Sequence, residues 1–221
     1  MQICRQGNGH YMSGLNNQDF CYMEQNLKLL TDGCSEGKFS EVGTRLFNQY
    51  FSTLKDRLSV EKFEKNVKKT FDKLTSIFSD NGKEKEAEFI INNMLFTILA
   101  CFEEEDKFIV KYLGDGYIVT VNSEDQVSYI RLSYGKTPPY YAYNLLSTNT
   151  YKEKLGFKTF EFSKSDFKKV GIASDGIAPI VEKKISDDFD KFILGTEKVY
   201  TPEGVIKSNH TLFYDDVTIL M

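Results

Sequence analysis

LKLLTDGCSEGKFSEVGTRLF, residues 27–47, decides how the rest of the chain is read. An apolar run from Leu27 to Thr31 ends on Asp32-Gly33, and a short polar stretch follows. From Ser40 the apolar period lengthens: Val42, Leu46, Phe47, Tyr50, Phe51 and Leu54 fall three and four apart, as on one helix face, with Ser40 placed as its N-cap. The stretch therefore reads as strand, tight turn, helix. An aspartate and glycine at a strand end ordinarily make a turn, because glycine accepts positive φ and aspartate caps the bend. The alternative is that Asp32 holds something.

Outward from this stretch, residues 20–31 read as two short strands around Glu24-Gln25-Asn26. A second helix is expected over 59–79, with Val60, Phe63, Val67, Phe71, Leu74 and Phe78 as its apolar stripe and lysines on the solvated face. Residues 79–86 read as a loop; they lack the alternating oxygen ligands of a calcium loop. The runs 89–102, 107–122 and 126–133 are rich in Phe, Ile, Val and Tyr and predict a meander of antiparallel strands. Residues 134–156 predict a loop-rich excursion with one short helical turn. Strands are expected at 157–163 and 168–174, helices at 176–184 and 186–194, and a closing strand at 211–221. Strands, helices, a long β section, helices and a last strand make an α+β fold, helices covering an antiparallel sheet or sandwich, in one domain over 1–221.

Asp-Gly recurs directly after apolar runs, in LKLLTDG, FIVKYLGDG and KKVGIASDG, while Asp19 opens the first long strand and Asp215-Asp216 the last. Strand ends that are neighbours in one sheet can bring such residues to a single point. Carboxylates gathered without a cation repel one another and raise their own pKa values, and a divalent metal relieves this. Hard oxygen donors without histidine or thiolate favour Mg²⁺ or Mn²⁺ over zinc or copper. A pair of such ions can activate a water and clamp an in-line phosphoryl displacement.

The 28 basic and 32 acidic residues leave a net charge of -4, so no global field favours nucleic acid or an anionic membrane. No apolar stretch approaches membrane-spanning length, and the N-terminus lacks a secretory pattern. Cysteines 4, 21, 34 and 101 are scattered, and His10 and His210 are the two histidines, which gives no zinc pattern. A soluble cytoplasmic protein with reduced thiols is the expectation.

Five ordered motifs carry a resemblance. They are Asn17-Gln18-Asp19; Leu29-Leu30-Thr31-Asp32-Gly33 followed by Ser40-Glu41-Val42-Gly43-Thr44-Arg45; Leu113-Gly114-Asp115-Gly116; Ala173-Ser174-Asp175-Gly176; and Asp215-Asp216-Val217-Thr218. In order and approximate spacing, over essentially the whole chain, this resembles the metal-dependent serine/threonine protein phosphatases of type 2C, in their bacterial branch. The resemblance implies an α-β-β-α sandwich acting on phosphoserine and phosphothreonine of a phosphorylated protein, opposite a kinase. It also implies two Mn²⁺ or Mg²⁺ ions, with a third more weakly held. Asp32 would bridge the two, the Gly33 carbonyl would ligate one, Asp175 and Asp215 would hold the other, and Asp115 would serve the third. Asp19 would sit at the site's edge, on metal-bound water or orienting a ligand. A metal-bound hydroxide, with no protein nucleophile, would attack phosphorus.

The chain departs from that pattern in places. The arginine that grips phosphate in many relatives is Gly14 here, and Arg5 of the preceding strand either reaches in to replace it or does not. The histidine that follows Asp-Gly in some relatives is Cys34. His10 either faces the site, as a source of the leaving-group proton, or is an ordinary loop histidine. The glycine- and threonine-rich segment is reduced to Phe96-Thr97-Ile98-Leu99. Residues 121–165 fall where the family carries a flap, with Pro138-Pro139-Tyr140-Tyr141 either a packed surface loop or a substrate contact. A catalytically weak domain that binds a phosphoprotein or a regulator is the alternative to an active enzyme.

Overall fold

A computed structural model of the chain describes residues 1–79, 82–132, 138–146, 155–182, 185–197 and 199–221, with backbone alone at 78–79 and 186–188. Two antiparallel five-stranded sheets lie between layers of helices. The first sheet runs β2 (Phe20–Glu24), β3 (Leu27–Gly33), β4 (Phe96–Glu103), β5 (Lys107–Leu113), β8 (Lys158–Ser163). The second runs β1 (Gln2–Arg5), β10 (Val217–Leu220), β9 (Phe167–Ala173), β6 (Gly116–Asn122), β7 (Val127–Leu132). A short helix, α1 (Asn8–Ser13), joins β1 to the approach of β2. Helices α2 (Ser40–Ser52), α3 (Phe63–Ser79) and α4 (Lys83–Asn93) cover the first sheet. The second is covered by α5 (Ala178–Val181), α6 (Ser186–Leu194) and α7 (Pro202–Ser208). This is the expected antiparallel sandwich flanked by helices.

Alternation along the strands assigns every core residue a layer. Leu27 and Leu29 of β3 face the helices with Phe47, Phe51 and Phe71, whereas Leu30 faces the other sheet with Leu99, Ile118, Ile172 and Leu220. The same parity puts Asp32 on the inter-sheet face and Gly33 against α2. A Cβ on Gly33 would lie 2.8 Å from Ser40 Oγ, so this close approach excludes any larger residue. On the helical side the Phe71 ring centroid lies 5.4 Å from Phe47 and 5.5 Å from Phe96. Truncating so enclosed a ring to alanine costs roughly 3–5 kcal/mol.

Several expectations change. Ser40 opens α2 but caps nothing, and its hydroxyl is buried without a partner. Val42 and Leu46 are exposed, since Phe47, Phe51 and Leu54 already fill the face toward β3 and β4. The second helix begins at Phe63. The loop expected over 79–86 gives way at Lys83 to α4, which also takes Phe89 to Asn93 from the strand expected at 89–102. Helices α1 and α7 were not foreseen, and the closing strand is confined to Val217–Leu220 behind a 3-10 turn at His210–Leu212. The meander breaks at Gly114-Asp115-Gly116: β5 and β6 lie in different sheets, so this segment is a crossover. The expected helical turn of the 134–156 excursion is Tyr141–Leu145, while 133–137 and 147–154 lie outside the described residues. Tyr140 and Tyr141 are buried in the helical core, so this part is no surface loop.

Candidate metal centre

Antiparallel pairing brings the motifs to one end of the sandwich. Phe20 pairs with Thr31, Asp32 with Thr97 and Ile98 with Leu113, so the start of β2 and the ends of β3 and β5 share that end. In the second sheet Ala173 pairs with both Ile219 and Tyr117, which puts the end of β9 beside the starts of β10 and β6. Asp32, Gly33, Asp115, Asp175 and Asp215 line one small cleft of about 70 Å³, together with Cys34, Ser35, Thr97 and Tyr140. Asp19 is not on its wall. It is 3% exposed, and its charge is near enough to Asp32 to act on that carboxyl.

The electrostatics are those of acids held together without a cation. Burial pushes Asp32 well above the usual carboxylate range, and Asp19, Asp175 and Asp215 add to the push. Burial, then Asp216, does the same to Asp19. Asp175 rises to about 6 through burial, Asp215 and Asp115. Asp115 is raised by burial, against the opposing field of Arg131. Both Asp19 oxygens are buried without a hydrogen-bond partner. The nearby Ser174 hydroxyl is committed elsewhere, donating to the Asp216 carbonyl and accepting from Thr218 N–H. A divalent cation fits this all-oxygen donor set and relieves its repulsion.

Asp216, adjacent to Asp215, does different work. One oxygen accepts from Gly7 N–H at 2.7 Å; the other accepts from Gln18 N–H at 2.6 Å and sits 2.8 Å from His10 Nδ1. This clamp ties β10 to α1 and to the loop that carries Asp19. His10 does not line the cleft; it is buried, its Nε2 3.9 Å from Asp215 Oδ1, and the Asp216 hydrogen bond chiefly raises its pKa. His10, Asp215 and Asp216 lie close enough to form a ligand set of their own. Asp216 already accepts from three donors, however, so this trio reads as a support for Asp215.

The expected departures also find their places. Gly14 closes α1 in the left-handed conformation at φ +71°, with open space where a side chain would stand. Arg5 does not reach the cleft and lines a separate cavity beside α7. The cation whose field acts on Asp115 and Asp175 is Arg131 of β7, opposite Tyr117. Thr97 contributes a buried, partnerless hydroxyl beside Asp32. Arg131 and the role of Asp216 were missed in the sequence, where only strand pairing could have pointed to them.

A family model described as protein phosphatase 2C matches residues 6–210. No curated protein matches the sequence. Among solved structures the chain is similar to a bacterial serine phosphatase, with a TM-score of 0.65 and 13% identity over 99% of this chain and 94% of that one. It is similar to the serine/threonine phosphatase Stp1 from Staphylococcus aureus, with a TM-score of 0.61 and 13% identity over 99% and 92%. The catalytic domain of the serine threonine protein phosphatase PstP, solved in complex with two manganese ions, gives a TM-score of 0.61 and 14% identity over 99% and 94%. At these identities the structural likeness concerns the fold, and the family model carries the assignment: the chain belongs to the protein phosphatase 2C family, a family of serine/threonine protein phosphatases.

Proposed function

We propose that this chain hydrolyses phosphoserine and phosphothreonine in proteins, at a cleft that takes two Mn²⁺ or Mg²⁺ ions and, more weakly, a third. The observation that carries the reading is the convergence of Asp32, Asp115, Asp175 and Asp215 on one cleft, together with the partnerless buried carboxylate of Asp19. Asp32 would bridge the ion pair, the Gly33 carbonyl would ligate one ion, Asp175 and Asp215 the other, and Asp115 the third. Such a pair, when bound, supplies an activated water and neutralises phosphoryl charge. The chain's own part is positional. The Asp216 clamp fixes Asp215, and Thr97 and Tyr140 wall the cleft. His10 lies off the cleft wall and Cys34 stands on it, so water is left to protonate the departing alkoxide.

The domain would span 1–221, with 121–165 shaping access; among the described residues of that span, Tyr140 is on the cleft wall. Among the described residues no helix is long and apolar enough to cross a membrane, and all four cysteines are free, which suits a reducing cytoplasm. The substrate's phosphorylation calls for a kinase as the opposing partner. A second reading, a domain that binds a phosphoprotein with little turnover, draws on Gly14, which offers phosphate no side chain.

Hydrolysis of p-nitrophenyl phosphate and of a phosphothreonine peptide, with Mn²⁺, with EDTA and for Asp32→Asn, tests these readings. Turnover lost in EDTA and in the variant is expected. Turnover that survives either would contradict the two-metal site, and manganese binding without turnover would favour the second reading.

A further inference from the structure

Beside the cleft lies a larger cavity, about 600 Å³, between β1–α1 and α7. Its floor is apolar, with Ile206 and Phe213, and its rim carries Arg5, Lys207 and His210. Among the described residues neither Arg5 nor Lys207 has an acidic partner, although Glu203 stands on the same wall, one helical turn from Lys207. Unpaired cations around an apolar floor are the opposite of the acidic cleft next door, and they suit a ligand with negative charge beside an apolar body.

The two openings draw on one segment of chain. Phe213 of the cavity and Asp215 of the cleft are two residues apart, at most about 7 Å along extended chain. Between them the Tyr214 ring, 78% exposed, lies over Gly9, where a Cβ would come within 2.7 Å of it. Tyr11, on the cavity wall, is 72% exposed, so two exposed aromatic rings stand by this segment. A peptide whose phosphorylated residue sits over Asp32, Asp175 and Asp215 would reach the cavity two to four residues away, at about 3.3 Å per residue.

We propose that this cavity is a substrate subsite for an acidic residue two to four positions from the phosphoserine or phosphothreonine, held by Arg5 and Lys207, with the neighbouring apolar side chain on Ile206 and Phe213. The proposal rests on the phosphatase reading and narrows its substrate class to phosphoproteins with acidic flanks. A polypeptide is favoured over a free nucleotide because Phe213 and Asp215 set cavity and cleft a few residues' length apart, with the exposed rings of Tyr11 and Tyr214 at hand for neighbouring side chains.

The test compares phosphoserine peptides that carry glutamate, or alanine in its place, at positions two to four on either side. The enzymes are the wild type and the charge-reversed double variant Arg5→Glu/Lys207→Glu. The expected result is a preference of about five- to tenfold in kcat/KM for the acidic peptide on one side, abolished or inverted by the reversal. Hydrolysis of p-nitrophenyl phosphate, which has no flanking residues, reports the metal cleft separately, so an absence of turnover there fails the phosphatase reading alone. Fluorescence anisotropy of the labelled acidic peptide then decides the subsite without turnover: weaker binding to the reversed variant supports it. Equal kcat/KM for both peptides, equal anisotropy for both proteins, or displacement of the peptide by ATP acting through the same two cations would overturn it.

Discussion

His10 Nδ1 and Asp216 Oδ2 meet at 2.8 Å inside the protein, with both residues buried, and this contact joins the N-terminal segment to the last strand. Asp216 accepts three hydrogen bonds in all. Bonds to a charged acceptor are worth roughly 1.5–3 kcal/mol each, and removal strands the donors. Asp216→Ala is therefore expected to lower stability by about 3 kcal/mol or more and to weaken Mn²⁺ binding through Asp215. Urea unfolding and calorimetric Mn²⁺ titration of the variant measure both; an unchanged midpoint would remove the clamp from the account.

The acids of the cleft should make the metal-free protein less stable as pH rises. Asp19, Asp32 and Asp175 all have folded pKa values above the usual 3.9, that of Asp175 about 6. Groups raised in this way contribute stability that is complete below the unfolded pKa and lost as pH climbs through the folded one. In EDTA the melting temperature should fall between pH 5 and pH 7.5, and Asp32→Asn should blunt the fall by removing a charge from the cluster. Differential scanning calorimetry of both proteins reads this directly, and a melting temperature that rises over that range in EDTA would refute it.

Arg131 is the cation whose field reaches Asp115 and Asp175, and Gly14 supplies none. Arg131→Ala is expected to raise KM for p-nitrophenyl phosphate severalfold with a smaller effect on kcat, since a distant charge attracts substrate and transition state alike. A loss confined to kcat would show a different role.

Cys34 stands on the cleft wall. A histidine there offers a proton for the leaving alkoxide, a contribution typically about 10²–10⁴-fold where positioning is good. Cys34→His should raise kcat for phosphoserine peptides more than for p-nitrophenyl phosphate, whose leaving group needs no proton. Equal changes for both substrates would count against water as the present proton source.

Much of the fold was legible because period-two and period-3.6 patterns are enforced by burial. The alternation of Leu27, Leu29 and Leu30 between two cores follows directly from LKLLTDG. Helix α4 was not legible, because KEKEAEFIINN carries a weak apolar stripe and derives its place from α2 and α3. Six-residue α1 and seven-residue α7 are likewise too short to announce themselves. The crossover at Gly114-Asp115-Gly116 looked like a hairpin because glycines at φ +117° and +118° suit both, and only sheet membership separates them.

In the cleft, the repeated Asp-Gly pairs could be read from order alone. Of the two adjacent aspartates the resemblance singled out Asp215, but the part played by Asp216 could not be read. Asp215 lines it while Asp216 accepts from Gly7 and Gln18, a division set by strand parity and by partners some two hundred residues away. Thr97 beside Asp32 and Arg131 opposite Tyr117 are products of strand register, which local sequence does not carry.

Anomalous diffraction from a crystal soaked in MnCl₂ tests the central claim most directly. Two strong manganese peaks are expected in the cleft, both within ligating distance of Asp32, one of them also touching Asp175 and Asp215. A single peak among His10, Asp215 and Asp216, or none near Asp32, would contradict it.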